Sequence, residues 1–468
     1  MARAILALAL SIAITSMTSA QTIRSAKSGD WSAPSSWEGD KVPYAGTRVL
    51  IRSGHSIRYD VVSAEVIRVV QVAGTLRFAH DRDTRLDVGL LRVQTGEQPS
   101  EDGFECEGHL DIDERLPRPA LEIGTPLEPI GAKHTALVRL TYVKGMDANS
   151  CPALVCCGGR MDIHGSPMKR TWQPLAVTAK SGESTITLLD AVPEWKPGDR
   201  VILTATNGHP EGVATRRPGK RNITVETEER IIKSIDAKRI TLDRPLVHAH
   251  LVDGEFRGTV GNLSRNVIIE SADSRGVRGH TMYHRNSRGA LSYAELRHLG
   301  KEDTLGRYAI HYHLVGNTMR GSYVLGCSVW DSHNRWVTIH GTNALVVRDN
   351  VCYQSVGHGI YLEDGTETFN IIDRNLLVQA FRARKLPKQA LPFDENEGAG
   401  LWWANSLNTF TSNVTCENDQ YGYRFEATET PAMKMKLGAP FPDGGRRMLA
   451  LRQLPFLRSD GNEDHAAA

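Results

Sequence analysis

The chain has almost no net charge, few aromatics and, after its first 20 residues, no long apolar run. Lys+Arg is 56 and Asp+Glu is 54, so no global charge argues for a nucleic-acid or membrane-surface partner. Aromatics are 6 % while glycine reaches 42, a balance that suits a turn-rich β protein better than a helical one. No stretch beyond the start is long and apolar enough to anchor the chain in a bilayer. The seven cysteines match no zinc-knuckle spacing, which argues against structural zinc.

What is present begins with MARAILALALSIAITSMTSA. Arg3 gives a basic start, Ala4 to Ile14 an apolar segment, and Thr18-Ser19-Ala20 a small-residue cleavage site. Residues 1–20 therefore read as a signal peptide. The mature protein is expected to be secreted, extracellular or periplasmic, with no membrane span after signal removal. Disulfides are permitted there. Cys106 can pair with Cys151, Cys156 or Cys157, and the odd count leaves a free thiol.

Short alternating runs such as RVLIRSGHSIRYD and VIRVVQVAGTLRFA predict a small all-β domain within 22–150. Trp31 and Trp37 would cap its stack, with sugar stacking as the alternative. Residues 97–118 read as an acidic loop. A β-rich linking domain is expected over 151–275. It carries ITLLDAVPEWKPGDRVILTAT, RIIKSIDAKRITLDRPL and a basic loop with Arg216, Arg217, Lys220 and Arg221. A polyanion would suit that loop, but such runs are more often simply solvated.

From 276 to 468 the sequence repeats itself. AIHYHLVG, WVTIHGTN, GIYLEDGT, GLWWANSL and GYRFEAT are short strands ending in turns. The steps are 27 residues from His313 to His340, 23 to Glu363, 41 to Ala404 and 22 to Glu426, the long one holding an insertion near Arg382 to Gly398. The L-x-x-L-x-L skeleton of leucine-rich repeats is absent. The fold class expected is all-β, with a right-handed parallel β-helix following the N-terminal β units. Asn350, Asn375 and Asn413 fit an asparagine ladder at a turn of that helix.

Strand alternation then sorts the side chains. Ile310, Tyr312, Val337, Ile339, Ile360 and Leu362 face inward. Outward run two columns: His313, His340, Glu363, Ala404, Glu426, and beside it His311, Thr338, Tyr361, Trp402, Arg424. His358 precedes the Glu363 strand, and His280 and His284 would belong to the coil below. Histidines two apart on a strand, a third on the next coil and a carboxylate make an N/O ligand set that suits zinc or a similar divalent ion. His313, His340 and Glu363 are the candidate ligands. His311, His358, Tyr361 and Asp364 are the candidate catalytic groups, and Trp402 and Arg424 the substrate-binding ones. A paired-carboxylate hydrolase fits less well. Glu363 and Asp364 point to opposite faces, and Glu363 and Glu426 stand about 10 Å apart, at or beyond the inverting range.

These stretches carry a resemblance. LGRYAIHYHLVG, VTIHGTNALVVRDNVCYQSVGHGIYLEDG and GLWWANSLNTF, with SWEGDKVPYAGTRVLI and VPEWKPGDRVILTAT, closely resemble the family of the cell migration-inducing hyaluronan-binding protein and of transmembrane protein 2, the cell-surface hyaluronidase. That family joins a G-eight domain to a parallel β-helix. The resemblance implies hyaluronan binding or depolymerisation, reported as calcium-dependent in some members. His311, His313, His340, His358, Glu363 and Asp364 lie inside the matching motifs. Calcium prefers six to eight oxygens, so any calcium is expected away from the histidines. The chain is shorter than those relatives, and LPFLRSDGNEDHAAA reads as the middle of a coil. The expected function is depolymerisation of an acidic, hyaluronan-like polysaccharide, by hydrolysis or elimination. The alternative is a non-catalytic glycan-binding or adhesion module. Oligomeric state is left open.

Overall fold

The computed structural model describes residues 21–106, 117–207, 225–428, 436–440 and 444–466. The leader, the core of the acidic loop and the basic loop with Arg216 to Arg221 lie outside the described residues. The rest is strand, turn and short 3-10 segments. Among the described residues no helix is long and apolar enough to cross a membrane.

Three parallel walls wind about one core. The first wall stacks Thr22–Arg24, Arg48–Ile51, Val62–Val72, Thr84–Val93, Ala153–Cys156, His280–His284, Ile310–Gly316, Val337–Thr342, Ile360–Leu362, Ala399–Trp403 and Tyr421–Phe425. The second runs from Ala136–Leu140 through Val267–Ser271, Ala294–Arg297 and Ser328–Ser332 to Glu463–His465. The third is built of two- to five-residue strands from Gly29–Asp30 to Arg458–Asp460. This is a parallel β-helix, and its first strand among the described residues is Thr22–Arg24. No seam falls at 150/151 or at 275/276. Ala153–Cys156 pairs with Leu90–Val93 on one side and with His280–Tyr283 on the other.

The inward register explains the continuity. Ile51, Val72, Val93, Cys156, Tyr283, Tyr312, Ile339 and Leu362 fall on one line through successive coils. All are fully buried, and Tyr283 and Tyr312 stack at 4.9 Å. A one-residue slip would turn every one of them outward, so the hydrophobic pattern fixes the register.

What interrupts the helix is an antiparallel unit of six strands between Trp172 and Asn262. Its own core includes Leu188, Val201, Ile240 and Val260. Trp172 and Ile202 fasten it to Trp330, Val351 and Leu376 on the second wall.

The asparagine ladder forms. Asn350 Nδ2 donates to Asn375 Oδ1, Asn375 to Asn413 and Asn413 to Asn462, each at 2.9 Å. Asp349, Arg374 and Ser412 before them take φ of 53° to 58°. A second ladder was not foreseen: Asn370 and Asn408 accept Leu345 N–H and Asn370 N–H at 2.9 Å. Cys106 is bonded to Cys157, and the other five cysteines are buried thiols. Trp31 and Trp37 meet edge-on at 5.0 Å inside the first coils and offer no face to a sugar.

Candidate metal centre

The outward columns of the first wall exist in register. His311 pairs with Thr338, Thr338 with Tyr361, Tyr361 with Trp402 and Trp402 with Arg424. His284 pairs with His313 and His313 with His340. A bulge follows, with Leu314 at φ 53° and Gly341 at φ 51°. It ends the regular ladder where the imidazoles of adjacent coils meet, and bulges commonly re-aim side chains in this way.

Three imidazoles converge there, with a carboxylate beside two of them. His340 Nδ1 lies 3.2 Å from His313 Nδ1 and 3.7 Å from Glu363 Oε2. His311 Nε2 lies 4.0 Å from the same oxygen. Ligand nitrogens of the three histidines all fall within 4.8 Å of one another. His311 Nε2 and Glu363 Oε2 are both buried without a hydrogen-bond partner. Leaving a buried polar atom unpaired costs about 1–3 kcal/mol. Two such atoms, 4.0 Å apart, could share a ligand.

The opposite edges of the rings are held. His311 Nδ1–H donates to Gly306 O at 2.9 Å, which turns Nε2 inward. His340 Nε2 lies 3.3 Å from Asp364 Oδ2, which turns Nδ1 inward. A carbonyl or carboxylate behind the ring is how metal-ligating histidines are oriented. Burial, then the neighbouring imidazoles, push His311 well below its ordinary value and His313 down to about 3. Both rings are thus neutral, as metal binding requires. Burial also works against charge on His340, but Asp364 and Glu363 outweigh it and raise it. Without an ion, a proton on His340 Nδ1 can point at the His313 lone pair.

His311, His313 and His340 could hold a divalent transition ion, with Glu363 Oε2 beside His311 and His340. The grouping differs from the sequence reading in one member: His311 faces the ligand cluster rather than a substrate.

The next coils hold a second cluster of a different kind. His358, Tyr361, Arg335, Asp394 and Trp402 are all buried. Asp394 Oδ1 accepts from His358 Nε2 at 2.8 Å, and Oδ2 from Tyr361 at 2.7 Å and Arg335 at 3.2 Å. Ala399 N–H donates to His358 Nδ1 at 3.0 Å. Both imidazole nitrogens are therefore committed, and no lone pair remains for an ion, although Glu397 also lies near. Burial works to raise the Asp394 carboxyl, while His358 and Arg335 hold it below the usual carboxylate range. Arg335 spans the two clusters, its Nη1 3.9 Å from Glu363 Oε1 and its guanidinium 3.5 Å over the Tyr361 ring.

Three expectations fail here. His358 and Tyr361 cannot act on a substrate, because the 382–398 insertion covers them and Asp394 consumes their polar atoms. Trp402 cannot stack on a sugar, because it lies against Tyr361 at 4.6 Å and is fully buried. The outward faces are correct, but loops roof much of them. Residues 102–106 form another part of the roof. Gly103 O lies 3.0 Å from His280 Nε2, and the Phe104 ring sits 5.8 Å from His313 under Arg307.

Other residues stay within reach of solvent. The side chains of His340, Asp364 and Arg424 are 17 %, 22 % and 31 % exposed. Arg424 is paired with Glu426 at 3.2 Å and lies over Tyr421. Sequence reasoning missed Arg335, Asp394 and Glu367. The last is buried and accepts Gly341 and Gly365 N–H at 2.9 Å. The one signal for Asp394 was the long step between Glu363 and Ala404.

Comparison with known proteins bears on this architecture. Residues 36–176 match the G8 domain and residues 276–468 the CEMIP beta-helix. The two stretches are thus similar to a G8 domain and to a CEMIP β-helix, in that order along the chain. Every residue of both clusters lies inside the CEMIP β-helix match. Fibrocystin-L of Homo sapiens is 29 % identical over 456 residues, 86 % of this chain and 10 % of that protein. Protein rliB of Dictyostelium discoideum is 28 % identical over 425 residues, 86 % of this chain and 34 % of that one. The chain thus spans a tenth to a third of the length of these relatives. A Pseudomonas phage tailspike aligns over 81 % of this chain and 50 % of its own, with 11 % identity and a TM-score of 0.20. So loose an overlap carries no argument here.

Proposed function

We propose that this chain is a secreted, carbohydrate-active protein that depolymerises an acidic polysaccharide such as hyaluronan at the first wall of its β-helix. The observation that carries the reading is the convergence of the His311, His313 and His340 imidazoles beside Glu363, with His311 Nε2 and Glu363 Oε2 buried and unpartnered. Held there, a zinc-like ion would supply Lewis acidity or a water of lowered pKa. The chain's own groups do the rest. Gly306 and Asp364 fix the two rings whose lone pairs face inward. Asp364 is also the partly exposed carboxylate at the rim. Burial works to raise its carboxyl, but the His340, Glu367 and Thr366 hydrogen bonds hold it below its ordinary value, while burial and Asp364 push Glu367 up. Asp364 is thus the ionised member of the pair. Calcium finds no oxygen-rich cage in this cluster and would bind elsewhere.

The experiment is elemental analysis of the purified protein, together with hyaluronan chain length measured with and without chelator. His313→Ala and His340→Ala are expected to lose both metal and shortening. Undiminished shortening by both variants sinks the site. A non-catalytic glycan-binding module is favoured by one observation, the burial of His358, Tyr361 and Trp402. Binding without shortening would support that reading.

A further inference from the structure

The rim of the centre is electrostatically lopsided. Arg285 directly follows His284, the register partner of His313. Ser287 N–H closes a turn onto His284 O at 3.0 Å, and Asn286 takes φ 60°. Arg285 therefore stands out at the edge of the first wall, one coil below His313, and it is exposed. Among the described residues it has no hydrogen bond or ion pair. Its charge reaches both His284 and His313. The other cations near the cluster are committed. Arg307 donates to Asn149 O and Leu305 O and covers Phe104. Arg335 is buried between Glu363 and Asp394. Arg424, at the far end, is neutralised by Glu426. Asp364 leaves a carboxylate on the far side.

Coils are spaced at about 4.8 Å, so Arg285 and Asp364 lie three coils, roughly 14 Å, apart along the axis. Among the described residues, a polyanion laid along this edge meets the unpaired Arg285, then the centre, then the Asp364 carboxylate. We propose that Arg285, rather than Arg424, binds a substrate carboxylate and so sets selectivity for uronate-containing polymers and the direction in which the chain lies. This rests on the polysaccharide reading of the site. Guanidinium suits the task, since it takes a carboxylate through two parallel N–H bonds and stays charged.

The test compares the intact protein with Arg285→Gln, Arg285→Lys and Arg424→Gln on hyaluronan and on carboxyl-reduced hyaluronan. A charge-assisted contact predicts that Arg285→Gln raises KM for hyaluronan about tenfold with kcat little changed. Arg285→Lys should recover part of that loss, and Arg424→Gln should cost a smaller factor. The penalty should vanish on the carboxyl-reduced polymer, where the wild type has already lost the contact. An unchanged KM, an equal penalty on both polymers or a larger loss from Arg424→Gln overturns the assignment. If the wild type shortens neither polymer, the depolymerase reading fails, and equilibrium binding decides. A tenfold weaker binding of hyaluronan by Arg285→Gln upholds Arg285, and equal binding removes it.

Discussion

Two clusters of buried imidazole, carboxylate and guanidinium sit one above the other on the first wall, built from the same strand register. In the upper one, Asp394 from the 382–398 insertion meets His358, Tyr361 and Arg335, and both of its oxygens are used. In the lower one, His311 Nε2 and Glu363 Oε2 face each other unpaired. The residue types are nearly alike. The difference is whether the chain supplies the counter-group. Where it does, the cluster clamps a loop. Where it does not, buried polar atoms are left without a partner.

The largest effect is expected from removing that counter-group. Asp394→Ala strands Arg335 in the interior and frees His358 and Tyr361. Breaking a buried charged pair in this way costs about 3–5 kcal/mol. Denaturant unfolding would show it as a lowered midpoint. A change under 1 kcal/mol would mean that the upper cluster is not a clamp.

Next comes acid sensitivity of the metal-free protein, which belongs to the lower cluster. His313 is depressed to about 3, chiefly by burial and by His340. Between its unfolded value near 6.5 and about 3, the unfolded chain binds a proton that the folded chain refuses. Its contribution is therefore full above about pH 6.5 and lost as pH falls through that window, by about 1.4 kcal/mol per pH unit. His340 is shifted the other way, so its contribution is present below about 6.5 and lost as pH rises through its folded value. His313→Leu should flatten the acid limb of a stability–pH profile. An unaltered slope would place the titration elsewhere.

A smaller effect separates orientation from ligation. Asp364→Asn keeps the shape behind His340 but weakens the hold on its Nε2–H. Partners of this kind are worth about 10–100-fold in metal affinity. Competition with a chelator of known affinity would read it, and an unchanged affinity would remove Asp364 from the centre.

How much of this could be read from the chain follows from what is periodic. The inward line through Tyr312, Ile339 and Leu362, the outward line through His311, Thr338, Tyr361, Trp402 and Arg424, and the Asn350–Asn375–Asn413 ladder all follow from alternation and repeat length. Alternation says which way a side chain points, not what covers it. The roofs over Tyr361 and Trp402 come from insertions, which obey no period, and Asp394 arrives on one of them. The continuity of the N-terminal strands with the later coils was hidden for a similar reason. The antiparallel unit and the loops at 97–118 lengthen the early steps until no repeat is visible.

The smallest effect is the sharpest contrast, because it applies one substitution to both clusters. His311→Leu removes an unpartnered buried nitrogen and leaves only the Gly306 carbonyl short of a donor. The removed penalty and the new one nearly cancel, so the metal-free protein should change stability by no more than about 1 kcal/mol. His358→Leu leaves Ala399 N–H without its partner and Asp394 Oδ1 with only Asn396 N–H, at about 1–3 kcal/mol for the orphaned donor. Paired unfolding curves of the two leucine variants measure the gap directly. Equal losses would mean that His311 is already satisfied, and that the lower cluster is a second clamp rather than a site.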